Sequence, residues 1–214
     1  VNALSTWLEV EVKDGKNIYK QRYEKGNVVS DLEIIGETNE TGTVVTFKPD
    51  PTIFTDTTVY DYETLLTRLR EQAFLNAGIR VVLNDKREDS YTKDREDDFC
   101  FFCGIKSYVE YILAGMKKES LNSQVIYLNG TRGDSTAEIA LLWSTAYDNK
   151  ILSFANTLHT IDGGTHEQAF RQTVTRVVNK YAHDFKKIKE SSDNLKGDDI
   201  LEGIVAVVSV KLAD

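Results

Sequence analysis

The chain has 214 residues and a mass of 24.2 kDa, which fits one large or two small domains and suffices for a sizeable hydrophobic core. Hydrophobic residues make up 41% of the chain and charged residues 28%, a composition that excludes a disordered or fibrous protein. The 26 basic and 34 acidic residues give a net charge of −8, which excludes non-specific binding to nucleic acid or anionic membrane driven by a global positive field.

The sequence predicts a cytoplasmic protein with no membrane segment. No apolar run approaches the roughly 20 residues that span a bilayer, and the first residues carry no signal-peptide pattern. Two cysteines are too few for a disulfide framework, which favours a reducing compartment. The first residue is Val1 instead of methionine, so we expect a fragment of a longer protein.

The first quarter of the chain predicts an antiparallel sheet. Residues 7–13 alternate apolar and charged side chains, Asp14 and Gly15 signal a hairpin turn, and residues 18–23 supply the returning strand. Residues 32–36 and 43–47 predict two further strands joined by a polar turn. Four strands therefore fit residues 6–48, and Pro49 and Pro51 end the sheet.

The pattern then changes from strand to helix. Apolar residues recur at helical spacing from Tyr62 to Ala73, and Gly78 is a C-cap candidate. Residues 79–83 predict a strand. The run 85–98 holds seven acids and four bases and predicts a solvated, mobile loop. Residues 99–103 predict a short buried strand.

The second half predicts a mixed α and β domain. We place a domain boundary near Cys103 and Gly104, where a helical pattern begins. Strands are predicted at 125–128, 137–143 and 151–158, an amphipathic helix at 167–181, a short helix after Gly197, and a mid-sheet strand at 204–212. Because strands and helices mix without strict alternation, the predicted fold class is α+β.

Cys100 and Cys103 have the spacing of a redox dithiol or of half a zinc site. A zinc site needs two more ligands at similar spacing, and a redox pair needs its nucleophile at a helix N-terminus. Neither condition is visible in the sequence, and positions three apart on a strand point to opposite faces. The sequence therefore favours two buried, inert thiols.

The segment 159–167 concentrates His159, His166, Asp162 and Glu167 around two glycines, between a predicted strand and a helix. Such groups suit metal or acid–base chemistry, and the glycine turn suits anion binding at the helix start. The structural alternative is that the glycines form a turn, Thr165 caps the helix, and His166 lies on its first turn. The sequence physics favours this alternative.

Other candidate patterns are weak. Residues 41–43, Thr-Gly-Thr between two predicted strands, indicate by themselves only a turn. The sequence has no Walker A loop, GxGxxG, nucleophile elbow or HExxH. Four arginines on predicted helix faces are expected to be solvated or to pair at i,i+4: Arg68, Arg70, Arg171 and Arg176.

Seven segments, in order and across nearly the whole chain, resemble the B subunit of bacterial DNA gyrase or the ParE-type subunit of topoisomerase IV. The segments are Val-Asn-Ala-Leu-Ser at 1–5, 42–47, 68–78, 85–87, 104–111, Asp-Gly-Gly-Thr-His at 162–166, and 202–211. The resemblance implies that residues 1–103 are the C-terminal half of a GHKL-type ATPase domain. It also implies that residues 104–214 are a C-terminally truncated transducer domain, similar in fold to ribosomal protein S5 domain 2.

The resemblance further implies an ATP-dependent type II DNA topoisomerase as the complete protein, with ATP and Mg as cofactors. Its implied partners are DNA, the A-type subunit of gyrase or topoisomerase IV, and a second B subunit. The family's magnesium-binding Asn, catalytic Glu, adenine-binding Asp and ATP lid precede the match to residues 1–5. Its Gln-Thr-Lys loop follows the last strand. We therefore expect this fragment alone to be inactive, with the main ligands of ATP and Mg outside it.

Carried over by position, the nucleotide pocket retains Thr43, whose hydroxyl joins the adenine-side hydrogen-bond network, with Gly42, Val45 and Val1 as neighbouring wall. Lys13 falls near a rim position that is often Arg in the family. The turn at 162–166 is implied to be a structural or relay element, and Cys100 and Cys103 depart from the family pattern. No catalytic residue and no metal ligand is assigned.

Two hypotheses follow. The first is that the chain is part of a type II topoisomerase B subunit, which couples ATP binding and hydrolysis to DNA strand passage. The second is a stand-alone, non-enzymatic α+β interaction module derived from that family. A basic strip, Lys180, Lys186, Lys187 and Lys189, either faces DNA in the complete enzyme or is a solvated helix end.

Overall fold

A computed structural model describes residues 1–87, 95–188 and 194–213. The chain divides into two compact units, Val1–Asp61 and Tyr62–Asp214. Both contain strands, and the second also contains four α-helices among its described residues, so the predicted α+β class is confirmed. No helix within the described residues is both long enough and apolar enough to cross a membrane.

The first unit is a five-stranded antiparallel sheet. A 3-10 turn at Asn2–Leu4 precedes β1 (Ser5–Asp14), β2 (Asn17–Glu24), β3 (Asn27–Val28), β4 (Glu33–Glu37) and β5 (Thr41–Pro49). The predicted hairpin is confirmed, with Gly15 at a φ of +87° in its turn. The order is β3-β2-β1-β5, and β4 also pairs with β2. Residues 41–43 therefore lie inside β5, so the interpretation as a turn is wrong.

The second unit begins with α1 (Tyr62–Leu75), the hairpin β6 (Arg80–Asp85) and β7 (Arg95–Cys100), and α2 (Ile105–Met116). A five-stranded sheet follows, in the order β11-β10-β12-β9-β8. Its strands are β8 (Ile126–Arg132), β9 (Ser135–Trp143), β10 (Lys150–Ala155), β11 (Leu158–His159) and β12 (Ile204–Lys211), with α3 (Thr165–Asp184) and α4 (Gly197–Leu201) before β12. The predicted central position of the last strand is confirmed.

Two hydrophobic clusters cover the two faces of this sheet because β12 alternates its side chains. Val205 and Val207 pack with Phe74 of α1 and Val109 of α2 in the first cluster. The second cluster joins Leu141 of β9, Phe170 of α3 and Leu201 of α4 with the other side of β12, namely Ile204, Ala206 and Val208. The sheet therefore lies between helices on both faces, as its doubly apolar last strand predicts.

The predicted loop at 85–98 is corrected at both ends. Asp85 belongs to β6, and residues 95–98 belong to β7, while residues 88–94 lie outside the described residues. The acids of β7 are accommodated in a strand because Glu96 and Asp98 have partners across the hairpin and Asp97 has one on α1. Arg80 pairs with Asp98, and the Tyr62 hydroxyl donates to Asp97 Oδ2 at 2.7 Å. A high charge density therefore does not by itself indicate a loop.

The predicted buried strand at 99–103 is also wrong. β7 ends at Cys100, and Phe102 is 82% exposed in the turn before α2. Phe101 faces inward because its ring stacks on Phe74 with centroids 3.7 Å apart. Cys100 is half-buried and Cys103 is exposed, so the prediction of two buried thiols fails for Cys103.

The centre of the first cluster is a stack of aromatic rings. Phe74, 1% exposed, lies between Phe101 and Tyr108, with the Tyr108 centroid at 4.6 Å. Burial, followed by the nearby Glu71 carboxylate, raises the pKa of Tyr108 well above its ordinary value. Tyr108 therefore remains a neutral hydrogen-bond donor, and its hydroxyl lies 3.4 Å from Glu71 Oε1.

Candidate functional site

The site residues carried over from the resemblance lie in the first unit: Gly42, Thr43 and Val45 on β5, and Val1 before β1. Because directly opposed residues of an antiparallel pair share a face, Thr43, Val45 and Phe47 lie on the same face as Val12, Val10 and Leu8 of β1. The face continues into β2 through Tyr19, Gln21 and Tyr23. It is an apolar surface with the Thr43 hydroxyl near one end. Such a surface suits contact with a flat apolar or heterocyclic group and one hydrogen bond.

The structure brings together only some of the predicted residues. Thr43 and Val45 are neighbours on this face, and both are exposed. Gly42, at a φ of +157°, pairs with Lys13 on the opposite face, with no atom within 4 Å of a built Cβ. The ammonium group of Lys13 lies 2.7 Å from Glu40 Oε2. Lys13 therefore has an acidic partner at this end of the sheet.

Val1 lies at the other end, where it borders a cavity of about 310 Å³ with Phe47. The remaining lining residues are mostly apolar: Leu4, Ser5, Pro49, Phe54, Thr57, Thr58, Val59 and Tyr60. Sequence reasoning missed this cavity. The available signal was the apolar pair Val59 and Tyr60 in a segment with no helical or strand period.

The opposite face of the same strands carries charge. Glu9 accepts from Arg22 at 2.8 Å and lies 3.1 Å from the Lys20 ammonium group, which also contacts Glu11 at 3.2 Å. The hydrogen bond from Arg22, followed by that from Lys20, holds the pKa of Glu9 below its ordinary value. This paired face is a solvated surface, so ligand binding to the sheet is favoured on the apolar face.

In the second unit, the segment 159–167 forms a half-buried hydrogen-bond network around the buried Ser153. Ser153 of β10 is 1% exposed, and its hydroxyl lies 2.7 Å from Thr160 Oγ1 and 2.8 Å from Glu167 Oε2. Thr160 donates to the Ser153 carbonyl at 2.8 Å and lies 3.2 Å from His166 Nε2.

The structural interpretation of this segment is confirmed with one correction. Gly163 adopts a φ of +75° in the turn, and His166 lies on the first turn of α3. The cap is Gly164, however, and Thr165 is the first helical residue, so the prediction of a Thr165 cap is wrong. A Cβ at position 164 would lie 2.8 Å from the His166 ring, so a larger residue there would require the His166 side chain to move. Ser153 was missed, although a lone serine in an apolar strand is a signal for a buried partner.

The network extends to a cation on the helix surface. Glu167 Oε1 accepts from Arg171 at 2.9 Å, as the predicted i,i+4 pair. Arg171 also lines an open polar groove of about 730 Å³, with Arg176, Lys180 and His183. Of the other predicted helix-face cations, Arg68 pairs with Glu71 at 3.0 Å, and Arg70 donates to the Tyr111 hydroxyl at 2.8 Å.

Replacing Ser153 with alanine tests how much this network contributes to the free energy of unfolding. We expect Ser153→Ala to lower the free energy of unfolding by about 1–3 kcal/mol, because the half-buried Glu167 carboxylate and Thr160 hydroxyl lose a hydrogen-bond partner. Glu167→Gln should cost less, because its ion pair with Arg171 is partly exposed. Equilibrium unfolding in urea measures both. A Ser153→Ala change within about 0.5 kcal/mol of the parent would contradict a structural role for the network.

Within residues 1–87, 95–188 and 194–213, no group of three or more His, Cys, Asp or Glu side chains could hold a metal ion. This applies also to the predicted candidate His159, Asp162, His166 and Glu167. Their carboxylate and imidazole groups are instead placed by the turn, by Ser153 and by Arg171. The residues present therefore do not fit a metal centre.

Comparison with known proteins gives a consistent result. The family model of DNA gyrase B matches residues 104–214, slightly more than half the chain. The DNA gyrase B protein of Streptococcus pneumoniae serotype 4 is 46% identical over 211 residues, which cover 99% of this chain and 32% of that protein. The DNA gyrase B protein of Enterococcus faecalis is 47% identical over 215 residues, which cover 100% of this chain and 33% of that protein. The chain thus spans about a third of the length of the curated relatives it matches.

Solved structures show the same likeness. The crystal structure of the 43K ATPase domain of Thermus thermophilus gyrase B, in complex with an aminocoumarin, superposes with a TM-score of 0.84 at 37% identity. The match covers 100% of this chain and 57% of that one. The topoisomerase IV ATP-binding domain of Francisella tularensis, at 24% identity and a TM-score of 0.77, shares the fold.

Proposed function

Because the chain belongs to the DNA gyrase B family, we propose that it is part of the ATP-binding B subunit of a bacterial type II DNA topoisomerase, either gyrase or topoisomerase IV. The observation that carries the proposal is the likeness to the Thermus thermophilus gyrase B ATPase domain, which extends over the entire chain. In the complete protein, ATP binding and hydrolysis would then drive DNA strand passage, with the A-type subunit, DNA and a second B subunit as partners in the cytoplasm.

We further propose that residues 1–103 supply part of the GHKL-type ATPase domain and residues 104–214 the S5-domain-2-like transducer. The start of the family match at residue 104 supports this boundary. The two compact units divide elsewhere, at Asp61 and Tyr62, because α1 packs with α2 and the β6–β7 hairpin packs with α1. The proposed boundary therefore rests on the start of the family match and differs from the division into compact units.

The nucleotide site is proposed on the apolar face of β5. Thr43 would hydrogen-bond on the adenine side, with Gly42, Val45 and Val1 as neighbouring wall. The exposed hydroxyl of Thr43 beside Val45 supports this placement, because an adenine ring needs an apolar surface and a few polar partners at its edge. None of the four side chains is a general base or a carboxylate ligand, and the chain covers only about a third of the length of its relatives, so the magnesium ligands and catalytic groups are proposed to lie outside these 214 residues.

The 162–166 turn is proposed to be a structural or relay element of the transducer. The network from Ser153 through Glu167 to Arg171 supports a rigid link between β10 and the first turns of α3. The exposed lysines of the predicted basic strip, Lys180, Lys186 and Lys187, are proposed to face DNA in the complete enzyme. Of the predicted basic strip, Lys189 lies outside the described residues.

The proposal predicts no ATP turnover by the 214-residue chain alone. The expected result is phosphate release no faster than in a blank, in a coupled assay with ATP and magnesium. The complete B subunit, assayed in parallel with its A-type partner and DNA, should hydrolyse ATP and change DNA supercoiling. Turnover by the chain alone at the rate of the complete protein would contradict the proposed division of the site. Failure of the complete protein to catalyse ATP-dependent strand passage would support the second hypothesis, a non-enzymatic interaction module.

A further inference from the structure

The two cysteines have no part in the proposed nucleotide or relay elements. Cys100 is the last residue of β7 and half-buried, and Cys103 is exposed, three residues later. They are the only cysteines in the chain. Both thiols are therefore within reach of small reagents in solution, and each is the other's nearest cysteine along the chain.

The backbone between the two thiols is a turn. The Gly104 amide donates to the Phe101 carbonyl at 3.2 Å, and the Gly78 amide donates to the same oxygen at 3.2 Å. The turn thus begins directly after Cys100 and contains Cys103. The rule that places strand residues three apart on opposite faces does not apply here, because the strand has already ended. The sequence-based objection to a dithiol pair is removed.

A cavity gives a reagent access to the exposed thiol. It has a volume of about 620 Å³ and is bordered by Cys103, Asn76, Phe102, Lys106 and Lys211. Two lining side chains, Lys106 and Lys211, carry ammonium groups, which attract carboxylates, against one lining carboxylate, Glu138. A small, carboxylate-bearing disulfide such as glutathione disulfide can therefore approach Cys103 with favourable electrostatics.

We propose that Cys100 and Cys103 form a reversible dithiol–disulfide pair, with a low-molecular-weight disulfide as oxidant. The Cys103 thiolate attacks one sulfur of glutathione disulfide, forms a mixed disulfide and releases one glutathione. The Cys100 thiolate then attacks the Cys103 sulfur, the protein disulfide forms, and the second glutathione leaves. The two protons of the protein thiols end on the two glutathione thiols, so the protein loses two electrons and the glutathione disulfide gains them.

Such a bond would be labile. It closes a short loop, which removes little chain entropy, and it is exposed to solvent, which leaves it open to reduction. Its effect would be local: it would tie the end of β7 to the residue before Gly104, the cap of α2. The proposal concerns the chemistry of this turn and stands independently of the proposed function.

Equilibration in glutathione buffers tests the proposal. The reduced chain is incubated with mixtures of reduced and oxidised glutathione, alkylated under quenching conditions, and digested with trypsin. Cleavage after Arg95 and Lys106 leaves both cysteines in one peptide, residues 96–106. The expected product in excess glutathione disulfide is this peptide with two hydrogen atoms fewer and no alkyl group, restored to two alkyl groups by excess reduced glutathione.

Matched variants and an unfolded control define the outcomes. Cys100→Ser should accumulate a glutathione adduct on Cys103, because the resolving thiol is absent. The folded chain should reach an effective thiol concentration at least about tenfold higher than the same chain in guanidinium, because the turn holds the cysteines together. Equal values in the two states would overturn the proposal. A parent chain that keeps two free thiols, or stops at the mixed disulfide, would also overturn it.

Discussion

Phe74→Ala is expected to lower the free energy of unfolding of the second unit by about 3–5 kcal/mol. The side chain is 1% exposed and contacts the rings of Phe101 and Tyr108 on either side. Its removal leaves a cavity at the point where α1, α2 and the turn before α2 meet. Few compensating movements are available, because the neighbouring Val109 is fully buried.

The two tryptophans allow this effect to be assigned to one unit. Trp7 lies in β1 and Trp143 in β9, so a Trp7→Phe background leaves Trp143 as the only tryptophan. Urea unfolding is then followed at Trp143, whose indole donates to the Ile200 carbonyl at 2.9 Å. Phe102→Ala is the matched control, since that ring is 82% exposed and its loss should cost about 0.5 kcal/mol or less. Equal losses for the two variants would contradict the proposed core.

Gly203→Ala should be nearly as damaging, with an expected cost of about 2–4 kcal/mol. Gly203 has a φ of +71°, and an added Cβ would lie 2.5 Å from the Ser144 carbonyl oxygen and 2.7 Å from that of Ala146. Two hydrogen bonds also hold the Gly203 backbone in place: its carbonyl oxygen accepts from the Ser144 amide at 2.8 Å and from the Ser144 hydroxyl at 2.9 Å. The turn that directly precedes β12 therefore requires glycine at position 203.

Gly115→Ala is the control for this variant, since it lies in α2 with ordinary helical φ and no atom within 4 Å of the added Cβ. It should leave stability unchanged or raise it by up to about 1 kcal/mol, because alanine favours the helix. The same Trp143 fluorescence in urea reports both variants. A Gly203→Ala protein as stable as Gly115→Ala would show that the backbone at 203 can relax, contrary to the structure.

The fold was predictable where one face of an element is buried. The strands at residues 7–13 and 18–23, α1, α3 and the central last strand all follow from apolar periodicity and turn residues. Prediction failed where partners distant in sequence decide the outcome. Asp98 and Glu96 lie in a strand because Arg80 and Asn84 contact them across the hairpin, a pairing that no local pattern reveals. Phe102 is exposed because only one of two adjacent rings can stack on Phe74.

The candidate sites likewise contain some residues that the sequence could reveal and others that it could not. Thr43 and Val45 were selected only through the resemblance to gyrase B, since Thr-Gly-Thr has no distinctive local chemistry. The structure places them on one face through the β1–β5 register. The glycine turn before α3 was visible in the sequence. Its buried partner Ser153 was not, because the side chain acts only once β10 lies against α3.

The proposed nucleotide site is tested most directly by measuring ATP affinity in the complete protein that contains these residues. Thr43→Ala removes the hydroxyl from the apolar face of β5, and Thr46→Ala removes one from the opposite face of the same strand. We expect Thr43→Ala to weaken ATP binding about tenfold or more in a calorimetric titration, the value of one lost hydrogen bond, and Thr46→Ala to leave it unchanged. Equal affinities for the two variants would contradict a nucleotide site on this face.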